Sequence, residues 1–109
     1  MRRRPLTPAE FDAACRELVK RCPWLSETSG RRSEQRNESV GGNPLSKHRL
    51  GMAKDFVSDT GRYGQAESTA TELGLWWKTH DKGSGDHLHA QGLAPGPPPD
   101  WWVEAYGRP

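Results

Sequence analysis

Ser46-Lys47-His48-Arg49-Leu50-Gly51-Met52-Ala53-Lys54-Asp55 and, further along, Asp86-His87-Leu88-His89 are the two stretches from which the rest of the chain can be read. The second alternates. On a strand, His87 and His89 share one face and Leu88 takes the other. In the first, His48 and Asp55 are seven residues apart. On one unbroken strand that odd spacing sends them to opposite faces. For both to serve one site, the backbone must turn or bulge near the small residues Gly51 and Ala53. Two imidazoles and a carboxylate, from His48, His89 and Asp55, are a donor set that zinc accepts. Three protein ligands leave the fourth position open for water, as in catalytic zinc centres. Asp86 lies three residues before His89 and is placed to act as a base toward that water.

Outward from these stretches, scaffold elements follow. Thr7-Pro8-Ala9-Glu10 predicts a helix start, with Thr7 as cap, Pro8 at the first helical position and Glu10 completing a capping box. Leu6 and Phe11 occupy the staple positions. Phe11, Ala14, Cys15, Leu18, Val19 and Cys22 then give one apolar helical face, and Pro23 ends the helix. Cys15 and Cys22 are separated along that helix by about 10.5 Å, beyond the reach of a disulfide, and read as small core residues. Residues 24–29 read as a short strand, 30–42 as a polar surface loop, and Gly41-Gly42-Asn43-Pro44 as a turn. Phe56 and Val57 read as buried strand residues. Gln65 to Leu73 predicts a second helix, stopped by Gly74. Leu75-Trp76-Trp77 reads as a strand into the core, and Lys82-Gly83-Ser84-Gly85 as a turn before the Asp86–Ala90 strand. Residues 94–100 form a proline-rich linker to an aromatic segment, 101–109, expected to pack back on the domain. The sum is an α+β fold: a small antiparallel sheet with flanking helices and the candidate ligands on one face.

Composition sets limits on this picture. A chain of 109 residues is one domain, 1–109. With 32% hydrophobic residues and a mean hydropathy of −0.95, its core is small, and a bound metal would add stability. The net charge of +2 is not the footprint of a nucleic-acid binder. Residues 1–5, with Arg2-Arg3-Arg4, read as a disordered basic terminus. No apolar run approaches the ~18 residues that cross a bilayer, so no membrane partner is expected. Pro5 to Glu10 follows the arginines where an export signal would be apolar. The expectation is therefore a monomer made in the cytoplasm that reaches any external target by release or by carriage.

The run Ser46-x-His48-x-x-Gly51-x-Ala53-x-Asp55 resembles the SxHxxGxAxD signature of the M15 metallopeptidases. These are the zinc D-alanyl-D-alanine carboxypeptidases, dipeptidases and L-alanyl-D-glutamate endolysins, whose fold is shared with the hedgehog signalling domain. The segment from Thr28 to Asn37, followed by Val40-Gly41-Gly42, resembles the run that precedes the signature in that family. Asp86-His87-Leu88-His89 satisfies both the DxxH and the HxH forms of its late motif. The resemblance covers roughly residues 6 to 92. It implies a hedgehog/DD-peptidase-like fold and Zn2+ held by His48, Asp55 and His89. It implies Asp86 as general base, taking a proton from water and passing it to the leaving amine. Arg32 aligns with the arginine that grips a substrate carboxylate or polarises its carbonyl, with Arg31 beside it as the other candidate. Ser46 bonds locally or helps orient a ligand. His87 polarises an oxyanion, positions substrate, or fills the sheet face. The implied partners are peptidoglycan stem peptides with D-residues. The implied setting is the bacterial cell wall, reached after lysis-type release or as a phage virion component.

Two other readings compete. A non-catalytic zinc-binding virion or interaction module would keep the ligands but has no use for an acid at Asp86. A metal-dependent nuclease would need a basic face and commonly a ββα finger pattern, and neither is evident in the sequence.

Overall fold

Thr7 caps the first helix as the sequence predicts. The computed structural model describes residues 4–29, 51–80 and 86–107. Helix α1 spans Pro8–Arg21. The Glu10 backbone N–H donates to Thr7 Oγ1 at 3.1 Å, and the Thr7 N–H donates to Glu10 Oε1 at 2.9 Å, closing the capping box. Arg4 donates to the same carboxylate at 3.0 Å. The expected disordered terminus is thus tied down at its inner end, while residues 1–3 lie outside the described residues. Phe11, Ala14, Cys15 and Leu18 form the buried face of α1, and Leu6 joins them in the core. Both cysteines are free and buried. Burial pushes the Cys15 thiol up to about 12, which keeps it protonated and inert.

Four strands follow in one antiparallel sheet of spatial order β1-β2-β4-β3 among the described residues. They are β1, Leu25–Ser29; β2, Ala53–Ser58; β3, Trp76–His80; and β4, His87–Gln91. Helix α2, Gly64–Glu72, lies between β2 and β3 in sequence. Helix α3, Asp100–Tyr106, follows β4. The domain is therefore α+β with an antiparallel sheet and three helices among the described residues. No described helix is long and apolar enough to cross a membrane.

Alternation divides the sheet into two faces. One is the core face, where Phe56, Leu88 and Ala90 are fully buried with Phe11 and Leu18 of α1. Lys54 lies on the α1 side, with Nζ 3.8 Å from Asp12 and 3.6 Å from Glu27. The other face is open and carries Asp55, His87, His89 and Gln91. Val57, expected in the core beside Phe56, is half-buried, because successive strand residues cannot both face inward. Trp76 and Trp77 divide in the same way. Trp77 packs against the core edge, and its Nε1–H donates to Thr71 Oγ1 at 2.8 Å.

Two close approaches lock the sheet to the helices. Gly92 donates to the Met52 carbonyl and accepts from the Leu6 N–H, each at 3.0 Å. A Cβ on Gly92 would come within 2.7 Å of Met52 Cε and 3.0 Å of Phe11 Cδ1, so a larger residue there would make the Met52 tip and the Phe11 ring shift. On the same Leu6 segment, Trp102 is fully buried, and its indole N–H donates to the Leu6 carbonyl at 2.9 Å. Of the aromatic segment, Trp102 thus packs against the start of α1 as expected, whereas Trp101 and Tyr106 are exposed. The proline-rich residues between β4 and α3 run through bends, with Pro98 buried.

Candidate functional site

The open face of the sheet carries the site chemistry because cross-strand register puts polar residues opposite one another. Asp55 of β2 pairs with His89 of β4, and His89 pairs with Lys78 of β3. Residues directly opposite in an antiparallel pair point to the same face. One row across the sheet therefore reads carboxylate, imidazole, ammonium. One step along, His87 of β4 pairs with His80 of β3, and their rings stack with centroids 4.6 Å apart and an interplanar angle of 20°.

Asp55 and His89 meet directly. His89 Nδ1 lies 3.0 Å from Asp55 Oδ1, with both side chains half-buried. The rest of the arrangement assigns the proton on His89. Gln91 Nε2 donates to the Leu93 carbonyl at 2.7 Å, which turns Gln91 Oε1 toward His89 Nε2 at 2.8 Å. An amide oxygen only accepts, so Nε2 carries the proton. In a neutral ring Nδ1 is then a bare lone pair facing the Asp55 carboxylate. Two acceptors at 3.0 Å require a positive charge on the ring or a cation shared between them. A protonated ring meets that demand, and a divalent metal would meet it too. Imidazole nitrogen and carboxylate oxygen are donors that zinc takes, and an outer hydrogen bond fixing the far ring nitrogen is the usual support of a metal-bound histidine.

The local backbone explains Asp55. Gly51 has φ +75°, a left-handed turn that glycine adopts readily, and β2 starts only at Ala53. The chain therefore turns between the positions of His48 and Asp55, as their odd spacing requires for a shared site. On the other flank, Glu27 pairs with Phe56 and Ser29 with Asp55. Thr28 is the extra residue of a bulge, and its Oγ1 donates to the Asp55 carbonyl at 3.4 Å. Bulges at a sheet margin re-aim the neighbouring side chains.

Of the residues singled out by sequence, Asp55, His89, His87 and Asp86 are described. The first three stand on the open face. Asp86 is exposed, one residue before β4. His48, Ser46, Arg31 and Arg32 lie outside the described residues, as do the loop 30–42, its closing turn 41–44 and the turn 82–85. Among the described residues, no three His, Cys, Asp or Glu side chains are grouped to hold a metal; Asp55 and His89 make two.

Sequence reasoning missed Gln91, His80 and Lys78. Gln91 is two residues beyond His89 on the same strand face, so period-two counting from His87 would have reached it. His80 and Lys78 needed the hairpin register, in which the residues flanking 81–86 pair as His80 with His87 and the pairing then propagates.

Among the concavities lined by described residues, a groove of about 240 Å³ is lined by Trp76, Trp77, Lys78, His80, His89, Gln91 and Pro95. A larger hollow of about 610 Å³ lies beside Trp24, Thr60, Arg62 and Gln65, with neither a histidine nor a carboxylate among its described lining residues. The groove is the one of these two that His89 lines.

Comparison with protein-family models, curated proteins and solved structures gives no match to any family model, any curated protein or any solved structure.

Proposed function

We propose that this chain is a zinc-dependent peptidoglycan peptidase that hydrolyses a D-residue-containing peptide bond of the bacterial cell wall, of the D-alanyl-D-alanine carboxypeptidase or endopeptidase type. The observation that carries the reading is the Asp55–His89 contact of 3.0 Å, with Gln91 holding the opposite ring nitrogen. It is supported by the sequence resemblance described above, which supplies His48 as third ligand.

Zinc bound by these residues would polarise the scissile carbonyl and acidify the attacking water. Asp86, exposed one residue before β4, would serve as the base toward the attacking water and as the acid toward the departing nitrogen. Arg32, or Arg31 beside it, holds a substrate carboxylate or carbonyl through a two-pronged guanidinium contact. His87 orients substrate or donates toward the developing oxyanion. Neither cysteine is suited to nucleophilic attack, since both are buried. The enzyme acts as a monomer on the wall, after release from the cytoplasm or as part of a virion.

Zymography on purified peptidoglycan, with chelator and then with zinc restored, tests this reading. Release of stem-peptide fragments that stops with chelator and returns with zinc supports it, and the fragment masses name the bond. Zinc bound at one per chain with no release from several wall chemotypes would reject the peptidase in favour of a non-catalytic zinc module.

A further inference from the structure

The groove beside His89 shares His89 and Gln91 with the candidate site and extends it toward β3. Its volume of about 240 Å³ is below the ~300–1,000 Å³ of typical small-molecule pockets, so it suits one part of a larger ligand. Among the described residues its lining includes an indole, Trp76, a cation, Lys78, and an imidazole, His80, and no carboxylate. Lys78 is exposed, and no ion pair is formed by it among the described residues. On that face Asp55 stands on the far side of His89 from Lys78 and is engaged with His89. The His80 pKa is lowered, first by loss of water around the ring and then by the neighbouring His87 and Lys78, so near neutral pH its ring is an uncharged hydrogen-bonding group beside the ammonium.

We infer that this groove binds a carboxylate-bearing peptide segment, with Lys78 as the charge contact and Trp76 as the apolar wall. That the segment belongs to a wall stem peptide rests on the function proposed above; that it is an anion follows from the lining. The cross-strand row gives the site a polarity. An acidic side chain or terminus settles on the Lys78 side of His89, while Asp55 occupies the other side and is engaged with His89. Lys78 thereby sets which flank of the substrate is anionic and acts as a specificity residue, touching substrate away from the bond that breaks. A lysine supplies a point charge of this kind without demanding planar two-pronged geometry.

The test uses the full chain, zinc-loaded and chelator-treated, with two probes: N-acetyl-L-alanyl-D-glutamate and its diamide. Amide NMR titration gives both affinities and their location. The acid should bind about tenfold more tightly than the diamide, the scale of one charge-assisted contact, with shifts on β3 and β4. Lys78→Gln should erase that preference and Lys78→Arg should keep it, with or without zinc. Equal binding of the two probes, binding of neither, or a preference that survives Lys78→Gln or vanishes with zinc removal overturns the assignment. Wall digestion is scored separately. A protein that digests wall without the acid preference loses the groove alone, and one with the preference but no digestion loses the peptidase reading alone.

Discussion

Gln91 Oε1 stands 2.8 Å from His89 Nε2, and the Gln91 amide is itself turned by its bond to the Leu93 carbonyl. This two-step relay leaves Nδ1 of His89 as the nitrogen that faces Asp55. Gln91 is two residues from His89 on the same strand, so the relay needs no other element to hold it.

Removing that relay should weaken metal binding without unfolding the sheet. Gln91→Leu is expected to lower zinc affinity by about 10–100-fold, read by competition with a chromogenic chelator. Gln91→Glu retains an acceptor for Nε2 and should lose less. Wild-type affinity in Gln91→Leu would show that the ring is oriented by something else.

The roles of His89 and Asp86 separate by metal content. His89→Ala should abolish both zinc binding and wall hydrolysis. Asp86→Ala should hold zinc normally yet turn over about 10²–10⁴-fold more slowly. Elemental analysis beside a fragment-release assay distinguishes the two, and full hydrolysis by Asp86→Ala would remove it from the base role.

Stability should depend on pH through Glu10. The Arg4 guanidinium, with the Thr7 backbone N–H, holds the Glu10 carboxyl at about 2, down from 4.5. A lowered folded pKa stabilises the fold above the unfolded value, and that contribution fades as pH falls toward about 2. Thermal melts of wild type and Glu10→Gln should therefore differ near neutral pH and converge at the acid end of that window. A constant difference across it would show that charge is not the cause.

Trp102 ties the carboxyl-terminal helix to the start of α1. Trp102→Ala should cost about 3–5 kcal/mol, the scale for truncating a fully buried aromatic. Trp102→Phe keeps most of the packing but takes the donor from the Leu6 carbonyl, for about 1 kcal/mol. Urea midpoints of the two variants give the comparison, and near-equal losses would assign the effect to the indole N–H.

Much of the scaffold was legible because its signals are local. The Thr7–Glu10 capping box, the apolar stripe from Phe11 to Cys22, the α2 helix ahead of Gly74 and the alternation of His87, Leu88 and His89 each involve residues within a turn or two of one another. Backbone hydrogen bonding and side-chain period decide these, and both are written in neighbouring residues. The turn at Gly51 was legible for the same reason. Val57 and Trp76 were placed too deep because a run of apolar residues does not say which ones face inward; pleating does.

The site was legible only as a list of residue types. That Asp55 faces His89, that Lys78 closes the row on the other side, and that His80 stacks on His87 depend on which strands are neighbours and in what register. Those pairings join residues 34 apart in the case of Asp55 and His89, and nothing near either one in the chain specifies the partner. Only the packed sheet, with its bulge at Thr28 and its close contact at Gly92, converts separated acids and imidazoles into a contact of 3.0 Å. Local composition sets the elements; long-range burial of one sheet face sets the register, and the register sets the chemistry on the other.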